Sequence, residues 1–297
     1  MLQSHPGELA ALATAVFWTA TALAFESASR KVGSLAVNWI RLAIAALLLS
    51  LFCWITRGRL LPLDASLHSW IWLSISGLIG FAVGDLFLFR AFVLIGSRIS
   101  LLVMSLVPPM TALIGRAVMG EVLTGRGALG MALTVGGVAL VVLEKKDNKA
   151  KKGGHSRAGY LFALGGALGQ SIGLVLSKFG MGAYNAFAAT QIRIIAGLAG
   201  FSLIFFFLNR WRRVKDALQH KPAMMRVTIG AVFGPFLGVS FSLLAVQHTT
   251  AGIASTIMAI TPVLIIPPAV LIFHEQVTWR ETAGAFIAVA GVALLFL

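Results

Sequence analysis

Residues 108–121 read "PPMTALIGRAVMGE": a proline heads an apolar run, and a glutamate follows thirteen residues later. Residues 262–275 read "PVLIIPPAVLIFHE", with the same spacing. The correspondence continues on both sides. A shift of 154 residues places Met104 on Met258, Pro108 on Pro262, Glu121 on Glu275, Thr124 on Thr278, Arg126 on Arg280, Gly130 on Gly284 and Gly137 on Gly291. Between 104–143 and 258–297, 12 of 40 positions are identical. Leucine and valine coincidences are common among apolar helices, but Pro, Glu, Thr and Arg in register are not. The same shift pairs Gly80 with Gly234 and Gly84 with Gly238, and a shift of 152 pairs Trp18 with Gln170, Glu26 with Lys178 and Arg41 with Arg193. The chain therefore reads as two homologous halves, 1–144 and 158–297, joined by a basic linker over 145–157, "KKDNKAKKGGHSR".

Composition says what surrounds these halves. Of 297 residues, 58% are hydrophobic and 11% charged. That is too little charge to clothe a soluble protein of this size, so lipid must cover much of the surface. A net charge of +14 could suggest nucleic acid, but the basic residues cluster in short loops between apolar runs, as membrane proteins arrange them. A lone cysteine, Cys53, can form no internal disulfide. The first run begins near Glu8, is long, and follows seven residues without Lys or Arg, which reads as a retained helix and not a cleaved signal.

Ten runs are long enough to cross a bilayer at roughly 20 residues each: 8–26, 36–56, 69–92, 97–117, 127–144, 158–179, 186–208, 224–246, 250–273 and 281–297. None shows the alternating ten-residue pattern of a barrel, and lipid offers the backbone no hydrogen-bond partners, so the spans must be helical. Five spans per half is odd. If the first half enters from one side, the second enters from the other, and the halves become inverted copies about an axis in the membrane plane. The expected fold is an all-α integral membrane protein of ten transmembrane helices, built as two inverted five-helix repeats. Such repeats build secondary transporters whose substrate site lies near the midplane between them. On these boundaries 17 of the 24 Lys and Arg share the linker's side, which assigns the linker to the cytoplasm and both termini to the outside.

Charges within spans cost about 2.5–3.5 kcal/mol each on insertion scales, so each needs a reason. Asp85 sits mid-helix in "GFAVGDLFLFR", and its twin position holds Val239. It reads either as a proton-coupling or ammonium-binding group or as a structural carboxylate paired with Arg41 or Arg90. Arg41 and Arg193, in "NWIR" and "TQIR", would hold a substrate carboxylate by bidentate hydrogen bonds, or else snorkel or tie down a helix end. Glu26 and Lys178 end helices 1 and 6 with opposite sign and are gate candidates. Trp18, Asn38, Gln170, Gln191 and Ser240 are candidate cavity-lining groups, suited to an amphipathic solute. Glycines at four-residue spacing, as in Gly80/Gly84 and Gly230/Gly234/Gly238, allow helix backbones to approach closely. Pro108 and Pro262, with Glu121 and Glu275, read as a structural hairpin in each half: proline bends the helix, and the glutamate sits ahead of the positive end of helix 5 or 10. The inverted arrangement would put the two glutamates on opposite faces.

Two enzyme signatures fail. "GQSIG" at 169–173 matches G-x-S-x-G, but it lies inside an apolar helix and not on a strand-to-helix elbow. No H-E-x-x-H, Cys/His cluster or G-x-x-x-x-G-K-[ST] occurs, so neither metal nor ATP chemistry is encoded and no cofactor is expected.

The five-plus-five halves, the paired proline-to-glutamate segments and the tails "GALGMALTVGGVALVVL" and "TAGAFIAVAGVALLFL" resemble the drug/metabolite transporter superfamily, specifically EamA-type permeases. The resemblance covers 8–143 and 158–297. It implies a ten-helix fold, a central cavity between the halves, and transport of small metabolites, often export of amino acids or related amphipathic compounds, commonly with proton coupling. It also implies both termini in the cytoplasm, against the charge count. The expected protein is thus no enzyme but a secondary active exporter in the bacterial cytoplasmic (inner) membrane, monomeric or homodimeric, driven by gradients and working by alternating access. The other class is a non-transporting membrane scaffold or lipid-interacting protein.

Overall fold

The computed structural model describes residues 5–144, 157–264, 266–267 and 278–296; the side chains of Glu26 and Pro262, and all of Glu275, lie outside the described residues. Every regular element among the described residues is helical. In the first half these are α1 (Pro6–Val32), α2 (Ser34–Arg57), α3 (Leu67–Gly77), a first π segment (Leu78–Gly84), α4 (Asp85–Met104), α5 (Val107–Met119) and α6 (Gly125–Glu144). The second half comprises α7 (Arg157–Met181), α8 (Ala186–Leu208), α9 (Trp211–Gln219), α10 (Lys221–Ala231), a second π segment (Val232–Gly238), α11 (Val239–His248), α12 (Ala251–Met258), α13 (Thr261–Leu264) and α14 (Trp279–Leu295). Among the described residues, five helical stretches are long and apolar enough to cross a membrane: Ser34–Arg57, Leu67–Ala91, Arg157–Met181, Ala186–Leu208 and Lys221–His248. Gly125–Val141 is a shorter apolar helix.

The duplication extends to local irregularities. The two π segments lie 154 residues apart, each with glycine at its third and last positions. A wide turn bonds each N–H five residues back: Asp85 N–H donates to Gly80 O, and Val239 N–H to Gly234 O. The widening pushes the fifth carbonyl back against the closing glycine. A Cβ on Gly84 would lie 3.2 Å from Ile79 O, and one on Gly238 would lie 2.8 Å from Phe233 O. Pro235 occupies the second segment where Phe81 occupies the first, so proline alone does not cause the distortion. A two-residue turn is duplicated as well. Ser105–Leu106 separates α4 from α5, and Ala259–Ile260 separates α12 from α13. Pro108 stands in the first turn of α5, where its missing N–H leaves no bond broken.

Several boundaries differ from the expected spans: the turns at Ser105–Leu106 and Ala259–Ile260 divide the expected 97–117 and 250–273. Helices ending at 92 and starting at 97 were expected, but α4 runs unbroken from Asp85 to Met104. Its twin region does break. Thr249 is extended and the Thr250 hydroxyl accepts from Ile253 N–H at 3.3 Å, starting α12. The corresponding Ile95 and Gly96 have no side-chain acceptor to cap a new helix.

Packing is reciprocal. The first π segment and its flanks pack on α7, and the second on α1. Helices α6 and α14 pack along glycine stripes. A Cβ on Gly130 would meet Gly291 O at 3.0 Å, and one on Gly137 would meet Gly284 O at 2.5 Å. Since Gly284 is the twin of Gly130 and Gly291 of Gly137, the contact pairs each glycine with the twin of the other. The largest apolar core joins residues of α1, α2, α3, α6, α7, α8, α11, α12 and α14, with Leu42, Leu73, Ile192, Phe201 and Leu243 fully buried.

Candidate functional site

The polar groups of the interior gather where the first π segment hands over to α4. The extra residue in the wide turn rotates the following helix, and Asp85 is the first residue after it. Asp85 is 5% exposed. One carboxylate oxygen accepts from Arg41 Nη2 on α2, in a short charge-assisted contact. The other accepts from Gln170 Nε2 on α7 at 2.8 Å. Of the two partners open to Asp85, Arg41 or Arg90, the structure selects Arg41; Arg90 is exposed. Arg41 is also held between rings, with its guanidinium carbon 5.2 Å from the Phe25 centroid and 5.5 Å from Phe89.

Arg193 on α8 does not repeat its twin. It is 4% exposed and lies over the Phe81 ring at 4.9 Å. Among the described residues its guanidinium forms no hydrogen bond, and its Nε is buried without a partner. The terminal nitrogen lies 3.3 Å from where a Cβ on Gly80 would be. Asn38, one turn before Arg41 on α2, is fully buried with both amide atoms unpartnered.

The remaining cavity candidates divide. Trp18 packs on the second π segment, its indole nitrogen 2.7 Å from where a Cβ on Gly238 would be. It thus stands at the second π segment as its twin Gln170 stands at the first. Ser240 is buried and turns its hydroxyl back to Phe236 O. Gln191 is drawn away from Asp85: its amide donates to the Ser50 hydroxyl at 2.9 Å and to Leu60 O at 2.7 Å, tying α8 to the end of α2 and the following loop. Beside that tie, Asp64 accepts from Arg57 at 2.6 Å and from the Tyr184 hydroxyl at 2.9 Å. Partial desolvation pushes the Asp64 carboxyl up, but Tyr184, Arg57 and Arg59 outweigh it and hold the group below its ordinary range. A surface hollow of about 370 Å³, lined by Arg59, Leu60, Leu61 and Leu63, opens in this loop, away from Asp85.

A second charged group joins the halves. Lys178, near the end of α7, donates to Glu121 at 2.5 Å and to Thr249 O at 2.6 Å. The other Glu121 oxygen accepts from Ala251 N–H at 2.9 Å, at the start of α12. This corrects the expectation that Glu121 serves the N-terminus of the next helix. Thr124 does so for α6, accepting from Gly127 N–H at 3.1 Å, and Thr278 does so for α14 in a capping box with Glu281. The left-handed turn at Gly120 (φ 68°) ends α5, and Glu121 follows it across to the α11–α12 break. Sequence reasoning missed this pairing. Its only trace there was a break signal at Thr249–Thr250, which leaves a free carbonyl and a free N–H for the two charges. Glu26, the twin of Lys178, and Glu275, the twin of Glu121, fall outside the described residues or side chains.

The G-x-S-x-G lookalike has a packing explanation. Gly169 meets Gly84 and Gly173 meets Gly80 at backbone distance, while the Ser171 hydroxyl returns to Ala167 O at 2.8 Å. Among the described residues no three His, Cys, Asp or Glu side chains converge as a metal site would require.

Two stretches of the chain, 5–143 and 157–297, match the model of the EamA-like transporter family. No curated protein matches the chain. Among solved structures, one titled only "Crystal structure of protein" superposes with a TM-score of 0.76 at 19% identity, over 98% of this chain and 95% of that one. At that identity the likeness speaks for the fold.

Proposed function

The chain belongs to the EamA-like transporter family and is an integral membrane protein; from that premise we propose a secondary active transporter that exports small organic metabolites, amino acids or related amphipathic compounds, by alternating access with proton coupling. The observation that carries this is the duplicated frame with one unduplicated carboxylate. The π segments, the turns before the proline-led helices and the α6–α14 glycine contacts all repeat at 154 residues and pack reciprocally. Reciprocal contact between equivalent surfaces is the pattern of a two-fold axis. If each half carries the five spans its sequence reads as, that axis lies in the membrane plane and the halves are inverted. Rocking one half against the other then exposes a midplane site alternately to each face.

In this reading α6 and α14 form the scaffold, because their glycine stripes hold them at backbone contact. The helices around the π segments move, because a wide turn already lacks regular bonding and tolerates a change of pitch. Asp85 is the coupling group. Protonation would release Arg41 and Gln170, and deprotonation would recapture them. Lys178 and Glu121 close one mouth by pinning α7, the α5–α6 turn and the α11–α12 break together.

The test is reconstitution of the full chain into liposomes with a panel of radiolabelled metabolites and an imposed pH gradient. Gradient-dependent flux of at least one compound is expected, together with loss of the gradient dependence in Asp85→Asn. Flux indifferent to that substitution removes proton coupling and leaves transport standing. Absence of flux for every compound returns the protein to the scaffold class.

A further inference from the structure

Arg41 and Arg193 occupy equivalent positions, yet only one of them is neutralised. Asp85 has two oxygens, and both are taken, by Arg41 and by Gln170. The charged group that acts on Arg193 is this same Asp85, but no hydrogen bond links them among the described residues. Two guanidinium groups therefore share one carboxylate inside the bundle, leaving a net charge of +1 there. A buried charge without a hydrogen-bonded partner is strongly disfavoured. The Phe81 ring face at 4.9 Å offsets part of that cost but satisfies none of the five N–H donors. Gly80 lets the backbone come close to this side of the guanidinium: a Cβ there would lie 3.3 Å from the terminal nitrogen, so a side chain at position 80 would crowd it.

We infer that Arg193 is the anchor for an oxyanion of single negative charge on the transported compound, which narrows the range proposed above: the site selects organic monoanions over zwitterionic amino acids and over neutral or cationic compounds. The planar fork of a guanidinium matches a carboxylate with two parallel hydrogen bonds, which an ammonium does not do. A monoanion brings the interior to neutrality, a zwitterion leaves it at +1, and a cation raises it to +2. The twin arginines thus have different tasks: Arg41 holds Asp85, and Arg193 holds the cargo. The inference rests on the transporter reading for the word cargo, but binding itself can be measured without flux.

The same chemistry could be supplied by a lipid phosphate, so the test separates the two sources. The purified full chain is incorporated into phosphatidylcholine nanodiscs. Its thermal unfolding is followed with acetate, benzoate and indole-3-acetate, each beside its amide, and with benzylamine and phenylalanine. At least one carboxylate is expected to raise the unfolding temperature while its amide and the amine do not. Arg193→Gln should weaken that carboxylate tenfold or more, and Arg193→Lys should restore part of the affinity. The Lys variant also keeps the site testable if the Gln variant does not fold. Equal effects of acid and amide, no effect of any acid, or unchanged carboxylate affinity in Arg193→Gln would each overturn the inference. So would loss of the carboxylate effect in nanodiscs containing phosphatidylglycerol, because the site would then belong to a lipid headgroup. Carboxylate binding without flux in liposomes would instead refute the transporter reading and leave the anion site standing.

Discussion

Set side by side, the two halves agree in their backbone and disagree in their polar side chains. Both have a π segment closed by glycine, a two-residue turn before a proline-led helix, and a threonine cap on the last helix. Where the first half has Asp85 the second has Val239; where the second half has Gln170 and Lys178 the first has Trp18 and Glu26. Only the second half breaks at Thr249–Thr250, and there the charges of Lys178 and Glu121 meet the two exposed backbone ends. Shape has been conserved between the halves because each half must fit the other around one axis. Charge is free to diverge, because the fit between the halves depends on shape and not on any one charge.

The most severe way to break the comparison is to remove its unique charge. Asp85→Leu leaves Arg41 buried with no partner and should cost about 3–5 kcal/mol. Unfolding in mixed detergent micelles, read by tryptophan fluorescence, checks this. The double variant Asp85→Leu/Arg41→Met should regain most of the loss, giving the first half the uncharged character of Val239.

Next comes the shared frame. A Cβ on Gly137 would lie 2.4 Å from Ala288 N, whereas one on Gly136 would meet nothing within 4 Å. Gly137→Ala should therefore destabilise by about 1–3 kcal/mol through forced separation of α6 and α14, and Gly136→Ala should be neutral or slightly stabilising. Equal behaviour of the neighbours in the same micelle assay would refute the reciprocal packing.

The smallest effect belongs to the loop clip outside the spans. Asp64→Asn should cost only about 0.2–1 kcal/mol, since the ion pair is partly exposed. The pH dependence has a definite sign. The Asp64 carboxyl is held below its ordinary value of 3.8, so its contribution is full above that value and is lost as pH falls through the lower folded value. The difference in unfolding temperature between wild type and Asp64→Asn should shrink over that acid window.

Much of this was legible residue by residue. Pro108 with Pro262, and Gly130 with Gly284, announced the duplication, and the missing twin of Asp85 marked it as the exceptional carboxylate. Its partner was narrowed to Arg41, on the preceding span, or Arg90, on its own. Other features were not legible. A Gly-xxx-Gly pair looks the same in a packed α-helix and in a π segment, since both need a missing Cβ. Gln191 looked like a cavity residue two places from Arg193, yet its side chain leaves on another face of α8 toward Ser50 and Leu60. Lys178 and Glu121 lie 57 residues apart in different halves, and no interval in the sequence foretells that they touch.

The sequence by itself determined that the chain is helical, lies in lipid and is built twice. Those conclusions follow from composition, run length and repeat interval, which are properties of the chain read in one dimension. Only the tertiary structure decided which of two equivalent arginines is neutralised and which carboxylate meets Lys178 across the halves. The physical reason is that a charge in a low-dielectric interior is governed by partners within hydrogen-bond reach. Those partners are set by how far each π turn rotates its helix and how closely the glycines let the helices approach, and both are fixed only when the two halves pack.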